Sequence, residues 1–480
     1  MASVSRQGII IYPNNLLSLK CIRLLTIIYY LLNCYTEGVE HFMKRISLRL
    51  LSIFLVLGIL LTGCKKEEHS IEFSDKSLEQ SPEKRKIMQE YLKENYSSID
   101  LEDESEFKDL AIMDSDIEGK EIFLTAELHG TKANEQLNTK FLKYFKEKSD
   151  FKYYLCELPY SNTYFINKYL DTGDIKILEE IYKPLKGTFA WTKDYYNHWK
   201  KLYEYNNTLP KESRIEVIGV DIEHQPINAY RFLVDVLPET DAPEEIKAVI
   251  DKIKSTFNDL DKFDETFAQC SKELQKDIKE KESIYKEYLG EKLASFNLVN
   301  LNILNKVNID NHIEDQVDWN NTRDKMMYEN FQILQKELPK GKYYGQWGLD
   351  HTFQSKEKDK MLFTAYLNSD DSIFKDKILT VIYNYDNCEK MDISAVGSYP
   401  TNELKFVYPQ IKETNDLLEG NFNIYKLTGE DSSFSETPMY YTNNNLEELE
   451  ELEASMLDFF QYIVCVRDSK ATEPLNDEYN

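Results

Sequence analysis

The chain is 480 residues long, enough for a large hydrophobic core, and its 84 acidic against 58 basic side chains leave a net charge of −26. Beyond Cys64 the balance is 82 acidic to 52 basic, net −30, which argues against nucleic acid as a partner because phosphate binding depends on a cationic surface. None of the seven cysteines forms a CxxC pair, so no disulfide framework is expected.

From Met43, the basic residues Lys44, Arg45 and Arg49 precede an apolar run, Leu50 to Leu61, that ends in Leu61-Thr62-Gly63-Cys64. This is the layout of a bacterial lipoprotein signal peptide, in which Cys64 becomes the acylated first residue. The apolar run is too short to prefer a membrane-spanning helix. Residues 1–42 read as upstream sequence outside the mature protein, and 65–109 as a Lys-, Glu- and Ser-rich tether with one helix. The expected location is the bacterial cell envelope, anchored to a membrane through the lipid on Cys64.

The folded domain is expected over 110–475. Ile122 to Thr125 is a short apolar run suited to a buried strand, and it delivers Glu127 and His129 to its C-terminal end. A helix from Thr131 to Lys146 follows, with Leu137, Phe141, Tyr144 and Phe145 on one face. Phe151 to Glu157 forms a second strand, ending in a carboxylate just before Pro159. The helix Trp191 to Asn206 buries Tyr195, Trp199 and Leu202 and leaves His198 on the surface. A third strand, Arg214 to Val220, closes on Asp221, with His224 three residues on. Three strands ending on acidic residues point to one sheet with a polar rim, and in parallel α/β sheets that rim binds ligands.

Charged, helix-favouring sequence from 242 to 310 is expected as an inserted set of long helices, either a lid over the rim or a solvated spacer. In the next helix, Asn321 to Leu338, Arg323 shares a face with Met327, Asn330 and Leu334. An arginine there must meet a buried acid or reach a site, because an unpaired buried charge is costly. Lys342 to Trp347 gives a fourth strand, after which Gly348 turns the chain and presents His351. Later strands are expected at Ile378 to Tyr383, Phe422 to Leu427 and Phe459 to Val466, with the acidic run Leu446 to Glu453 as a solvated helix. The fold class is therefore α/β, a mainly parallel sheet flanked by helices with a helical insertion.

No GxSxG, HExxH, GxxxxGK[ST] or GxGxxG sequence occurs. The remaining chemistry rests on Glu127, His129, Glu157, Asp221, His224, Arg323 and His351. A histidine oriented by a carboxylate can take a proton from water near neutral pH, and cationic neighbours can steady the charge that develops on an attacked carbonyl oxygen. His129 is the expected base, supported by Glu127 or Glu157, with Arg323 and His351 polarising and Asp221 and His224 facing the substrate. No cofactor is needed. The same residue types also suit a divalent metal such as zinc or manganese.

These segments resemble the erythromycin esterase family. The likeness lies in Ala126-Glu127-Leu128-His129-Gly130, in Glu157, in the Trp199 to Asn206 helix leading to Gly219-Val220-Asp221, in Arg323-Asp324 with Met327 and Asn330, in Gly348 to His351, and in Asp458-Phe459 running on to Pro474-Leu475. Ala126 stands where the family has Gly, one residue rather than two separates Glu127 from His129, and His351 alone represents a pair of histidines. The resemblance implies hydrolysis of an ester or lactone by water activated at His129. Through the wider superfamily it leaves open a metal-dependent peptidase or hydrolase of the Tiki type, or a non-catalytic lipoprotein that binds haem or another ligand.

Overall fold

A computed structural model describes residues 82–476, apart from 359, 395–396, 407 and 443–448. The chain divides into two units, one of Met1–Ile71 with Thr442–Glu450 and one of Glu72–Tyr441 with Glu451–Asn480. The upstream segment 1–42, the signal 43–64 and Cys64 lie outside the described residues.

The strands are β1 (Tyr96–Ser98), β2 (Ile122–Glu127), β3 (Tyr153–Pro159), β4 (Glu216–Asp221), β5 (Tyr343–Gly348), β6 (Ile378–Met391), β7 (Thr401–Phe406), β8 (Phe422–Lys426), β9 (Pro438–Thr442), β10 (Leu449–Ser455) and β11 (Tyr462–Arg467). Nine of them form one sheet in the order β1-β8-β11-β6-β2-β5-β3-β4, with β7 beside β6. The run from β11 to β4 is parallel, and β1, β7 and β8 join it antiparallel. The fold is a mixed α/β architecture around a large, mostly parallel sheet.

Side-chain alternation along the strands builds two apolar layers. On one face Phe123, Tyr344 and Tyr154 meet the helix Lys132–Ser149, where Phe145 stacks on Phe123 at 4.7 Å. On the other face Ile122, Leu124, Leu155 and Trp347 meet Met327 and Phe331 of the helix Gln316–Glu337. Burying roughly ten such side chains contributes on the order of 20 kcal/mol before the entropy of ordering is set against it.

Between β4 and β5 the insertion forms the helices Glu244–Asn258, Phe263–Glu280, Glu282–Leu289 and Leu293–His312. Their apolar faces, among them Ile250, Leu274, Phe296 and Ile303, are buried. Asn330 joins this block to the sheet: its Nδ2 donates to Val220 O at 2.8 Å and to Asn302 Oδ1 at 3.1 Å.

Three expectations need correction. The tether is shorter than 65–109, because the helix Pro82–Glu94 buries Met88 and Leu92 and β1 pairs with β8 in the main sheet. The acidic run expected as a helix is strand over Leu449–Ser455. His198 is buried at 3% exposure, not on the surface, because Tyr154 and Trp199 both close over its ring. Cys156, Cys270, Cys388 and Cys465 are free and buried, and among the described residues no helix is long and apolar enough to cross a membrane.

Candidate active site

β2, β5, β3 and β4 lie side by side, so their C-terminal ends bring Glu127, Gly348, Glu157 and Asp221 to one rim. After β2 the chain must turn at once to present His129, and Gly130 makes the turn with φ +100°. A Cβ here would sit 2.3 Å from Met391 O, so only glycine fits. The Gly130 carbonyl accepts from Met391 N and Thr472 N, both at 2.9 Å, which fixes the turn from two remote segments. The second belongs to a strap: Lys132 N donates to Lys470 O (2.9 Å), Lys193 N to Glu473 O (3.0 Å) and Leu475 N to Trp191 O (3.0 Å).

His129 Nδ1 bonds Glu127 Oε1, and the other oxygen of Glu127 accepts from Asn134 Nδ2. Asn134 is itself fixed, donating to Leu128 O at 2.9 Å and accepting from Tyr385 Oη at 2.8 Å. Burial works against a charge on His129, but Glu127 outweighs it and pushes the imidazole up to about 9. The imidazole is 39% exposed, the most open group of the cluster. Its Nε2 makes no hydrogen bond among the described residues and faces Gly348.

Glu157 reaches the rim because β3 breaks its register between Cys156 and Pro159. Its Oε2 accepts from Gly348 N at 3.0 Å and its Oε1 from Arg323 Nη2 at 2.6 Å. Arg323 also grips Asp221 in a fork, Nε to Oδ1 at 2.9 Å and Nη2 to Oδ2 at 2.6 Å. Burial alone would raise both acids. His351 and Arg323 hold Glu157 well below the usual carboxylate range, and Arg323 with His224 does the same to Asp221.

His351 Nδ1 donates to Asp324 Oδ1 at 2.7 Å. Its Nε2 lies 3.3 Å from both Arg323 Nη1 and Glu157 Oε1, so it has a partner in either state. Bare, it accepts from Arg323; protonated, it donates to Glu157. Burial disfavours the imidazolium, but Asp324 and Glu157 outweigh it and push His351 well above the ordinary range. A Cβ placed on Gly348 would be 3.5 Å from His129 Nε2, 3.4 Å from His351 Cδ2 and 3.2 Å from Glu157 Oε2. Both imidazoles therefore border one small space above this glycine. Phe189, 5.3 Å from His129, and Trp319, 6.1 Å from His224 and 6.0 Å from the Arg323 guanidinium, flank it.

The fold thus gathers Glu127, His129, Glu157, Arg323 and His351, and His224 bonds Asp221 at 3.0 Å. Of the two carboxylates expected to orient His129, Glu127 is the one bonded to it, and one expected role changes. Asp221, expected to face substrate, is 1% exposed with both oxygens filled by Arg323 and His224, so it anchors the arginine instead. Sequence reading missed Asn134, Tyr385 and the role of Asp324. Only the bare spacing Glu127 to Asn134, one turn into the following helix, hints at the first. Glu223 was also missed: fully buried and pushed up to about 8 by that burial, it accepts from Ser161 N (3.2 Å) and Oγ (2.6 Å) and ties the Asp221–His224 turn to the helix Tyr160–Thr172. Among the described residues no three His, Cys, Asp or Glu side chains are placed to share a metal ion. The Arg323 guanidinium fills the gap between Glu157 and Asp221 that a cation would take.

No protein-family model and no curated protein matches the sequence. The fold does match solved structures. A protein from Bacillus cereus superposes with a TM-score of 0.63 at 15% identity, over 82% of this chain and 99% of that one. A succinoglycan biosynthesis protein gives 0.62 at 14%, over 81% and 98%. A histidine-to-asparagine mutant of the erythromycin esterase EreC, in its open conformation, gives 0.56 at 12%, over 78% and 98%. At these identities the likeness is one of fold.

Proposed function

We propose that this chain is a hydrolase of carboxylic esters or lactones, acting through a water activated by His129, on a lipoprotein held at a membrane of the bacterial cell envelope by Cys64. The observation that carries the reading is that two carboxylate-held imidazoles approach one point above Gly348. The esterase among the structural neighbours supports it, since the same fold there carries that chemistry.

Unprotonated His129 Nε2 takes a proton from water, Glu127 stabilising the imidazolium that forms. The resulting hydroxide attacks the carbonyl carbon. The developing oxyanion is steadied by the remaining N–H of Arg323, where little reorganisation is needed because Glu157 and Asp221 already hold the guanidinium. No covalent intermediate and no cofactor enters. Phe189 and Trp319 supply apolar surface for the rest of a small-molecule substrate. The basic n-region, the short apolar run and Cys64 are the grounds for the anchor.

The test is a panel of aryl and alkyl esters and lactones offered to the purified chain, with and without a chelator. Turnover that persists under chelation is expected. Turnover only after added manganese or zinc would move the assignment to a metal-dependent hydrolase, and turnover of nothing in the panel would end the hydrolase reading.

A further inference from the structure

Asp324 is fully buried, at 0% exposure, and is built in an uneconomical way for a structural residue. Its Oδ1 accepts twice, from His351 Nδ1 at 2.7 Å and from Phe363 N at 2.8 Å. Its Oδ2 has no hydrogen-bond partner among the described residues. A cross-link between the helix Gln316–Glu337 and the helix Phe363–Leu367 would need only one carbonyl oxygen, which an amide supplies without a buried charge. A buried carboxylate with one bare oxygen persists at a cost in stability, and such a group calls for a functional explanation.

The explanation lies in what Asp324 does to the ring. By accepting from Nδ1 it leaves Nε2 as the nitrogen free to exchange a proton, beside the Cδ2 that borders the space over Gly348, and its charge favours an imidazolium. The two histidines differ in the right direction for a division of labour. His129 has one carboxylate and is 39% exposed; His351 faces two carboxylates and is 14% exposed. Where two titratable groups sit in unequal environments, the one held more firmly protonated is the acid and the other the base.

We propose that Asp324 is a positioning residue that makes His351 the proton donor to the leaving alkoxide, opposite the water-activating His129. This rests on the hydrolase reading above. Water gives a proton to His129 Nε2 and its oxygen bonds the carbonyl carbon. The tetrahedral intermediate then expels the alkoxide oxygen, which takes the proton of His351 Nε2–H and departs as the alcohol. His129 ends with one proton more and His351 with one fewer, and exchange with solvent restores both. When His351 loses its proton, Arg323 Nη1 stands 3.3 Å away to donate to the bared Nε2.

The experiment compares leaving groups. For an acyl group that the wild-type chain turns over, the 4-nitrophenyl ester needs no protonation of its leaving oxygen, whereas the ethyl ester does. Asp324→Asn should lower kcat on the ethyl ester about 10²-fold or more and on the 4-nitrophenyl ester less than ~5-fold, with KM little changed. His351→Gln should show the same split, and this second variant covers the chance that Asp324→Asn folds poorly. Imidazole nitrogen NMR should find both His351 nitrogens protonated at neutral pH in the wild type, and Nε2 losing its proton at lower pH in Asp324→Asn than in the wild type. Equal losses on both esters in both variants, or no loss, would overturn the assignment while leaving the hydrolase intact. A wild-type chain that turns over no ester would overturn both.

Discussion

Two glutamate–histidine pairs meet at consecutive residues of one helix start, Asn134 and Glu135, and they finish in different electrical states. Glu127 and His129 lie at the rim, where Asn134 serves the carboxylate and the imidazole is pushed up to about 9. Glu135, the next residue after Asn134, stands 3.6 Å from His198 in the interior. There burial pushes Glu135 up to about 8 and His198 down to about 3, so at neutral pH neither is charged. The residue types are the same in both pairs. Each carboxylate has an asparagine donor, so what separates the pairs is access to water, open at the His129 ring and closed at His198.

The most direct way to break the comparison is to delete each histidine. His129→Ala should lower kcat/KM on any substrate ester by about 10³-fold, the span of a lost general base, while His198→Gln leaves it essentially unchanged. Next in size, Gly348→Ala should cost about 10²-fold in kcat, because the added methyl enters the space between the two imidazoles. Its backbone, at φ −55° and ψ 139°, suits any residue, so the thermal midpoint should hold. Glu127→Gln sharpens the contrast further. The wild-type kcat/KM should rise with pH to a plateau above about 9, where His129 is bare. Removing the Glu127 charge should move that limb toward the ordinary imidazole value of ~6.5, with a lower plateau.

The smallest effect is on stability, and its two signs oppose each other. The unfolded chain protonates His198 below about 6.5 and the folded chain only below about 3, so stability falls as pH falls between them. Denaturant titrations at pH 6.5 and 5.5 should show the wild type losing roughly 1 kcal/mol relative to His198→Gln, the raised carboxyls such as Glu223 shifting both chains alike in the other direction. His129 acts the other way. Its contribution is complete below about 6.5 and disappears as pH rises to about 9, and Glu127→Gln should remove that slope.

Strand ends were the legible part of the site. Apolar runs that stop on Glu127, Glu157 and Asp221 announce a polar rim, and parallel neighbours bring such ends together whatever the intervening sequence. Supports were not legible. Asn134 and Tyr385 are 251 residues apart and meet only because β6 lies beside β2. His198 was misplaced because helical periodicity found Tyr195, Trp199 and Leu202 but took that face as too narrow to include the histidine between them; the second aromatic layer, Tyr154 from β3, widens it. The antiparallel strands β1 and β7 are short or half-exposed, and their pairing partners lie far along the chain, so local pattern carries little of them.

The strap from Lys470 to Leu475 has a temporal meaning. The turn that aims His129 is held by an amide that leaves the ribosome long after the turn itself, and the Trp191 loop waits for the same stretch. A nascent chain can pair its earlier strands and still be chemically idle, its base unaimed until Lys470 to Leu475 have emerged. Catalysis therefore waits on this one stretch, and a product terminated before Lys470 would lack the bonds that aim its base.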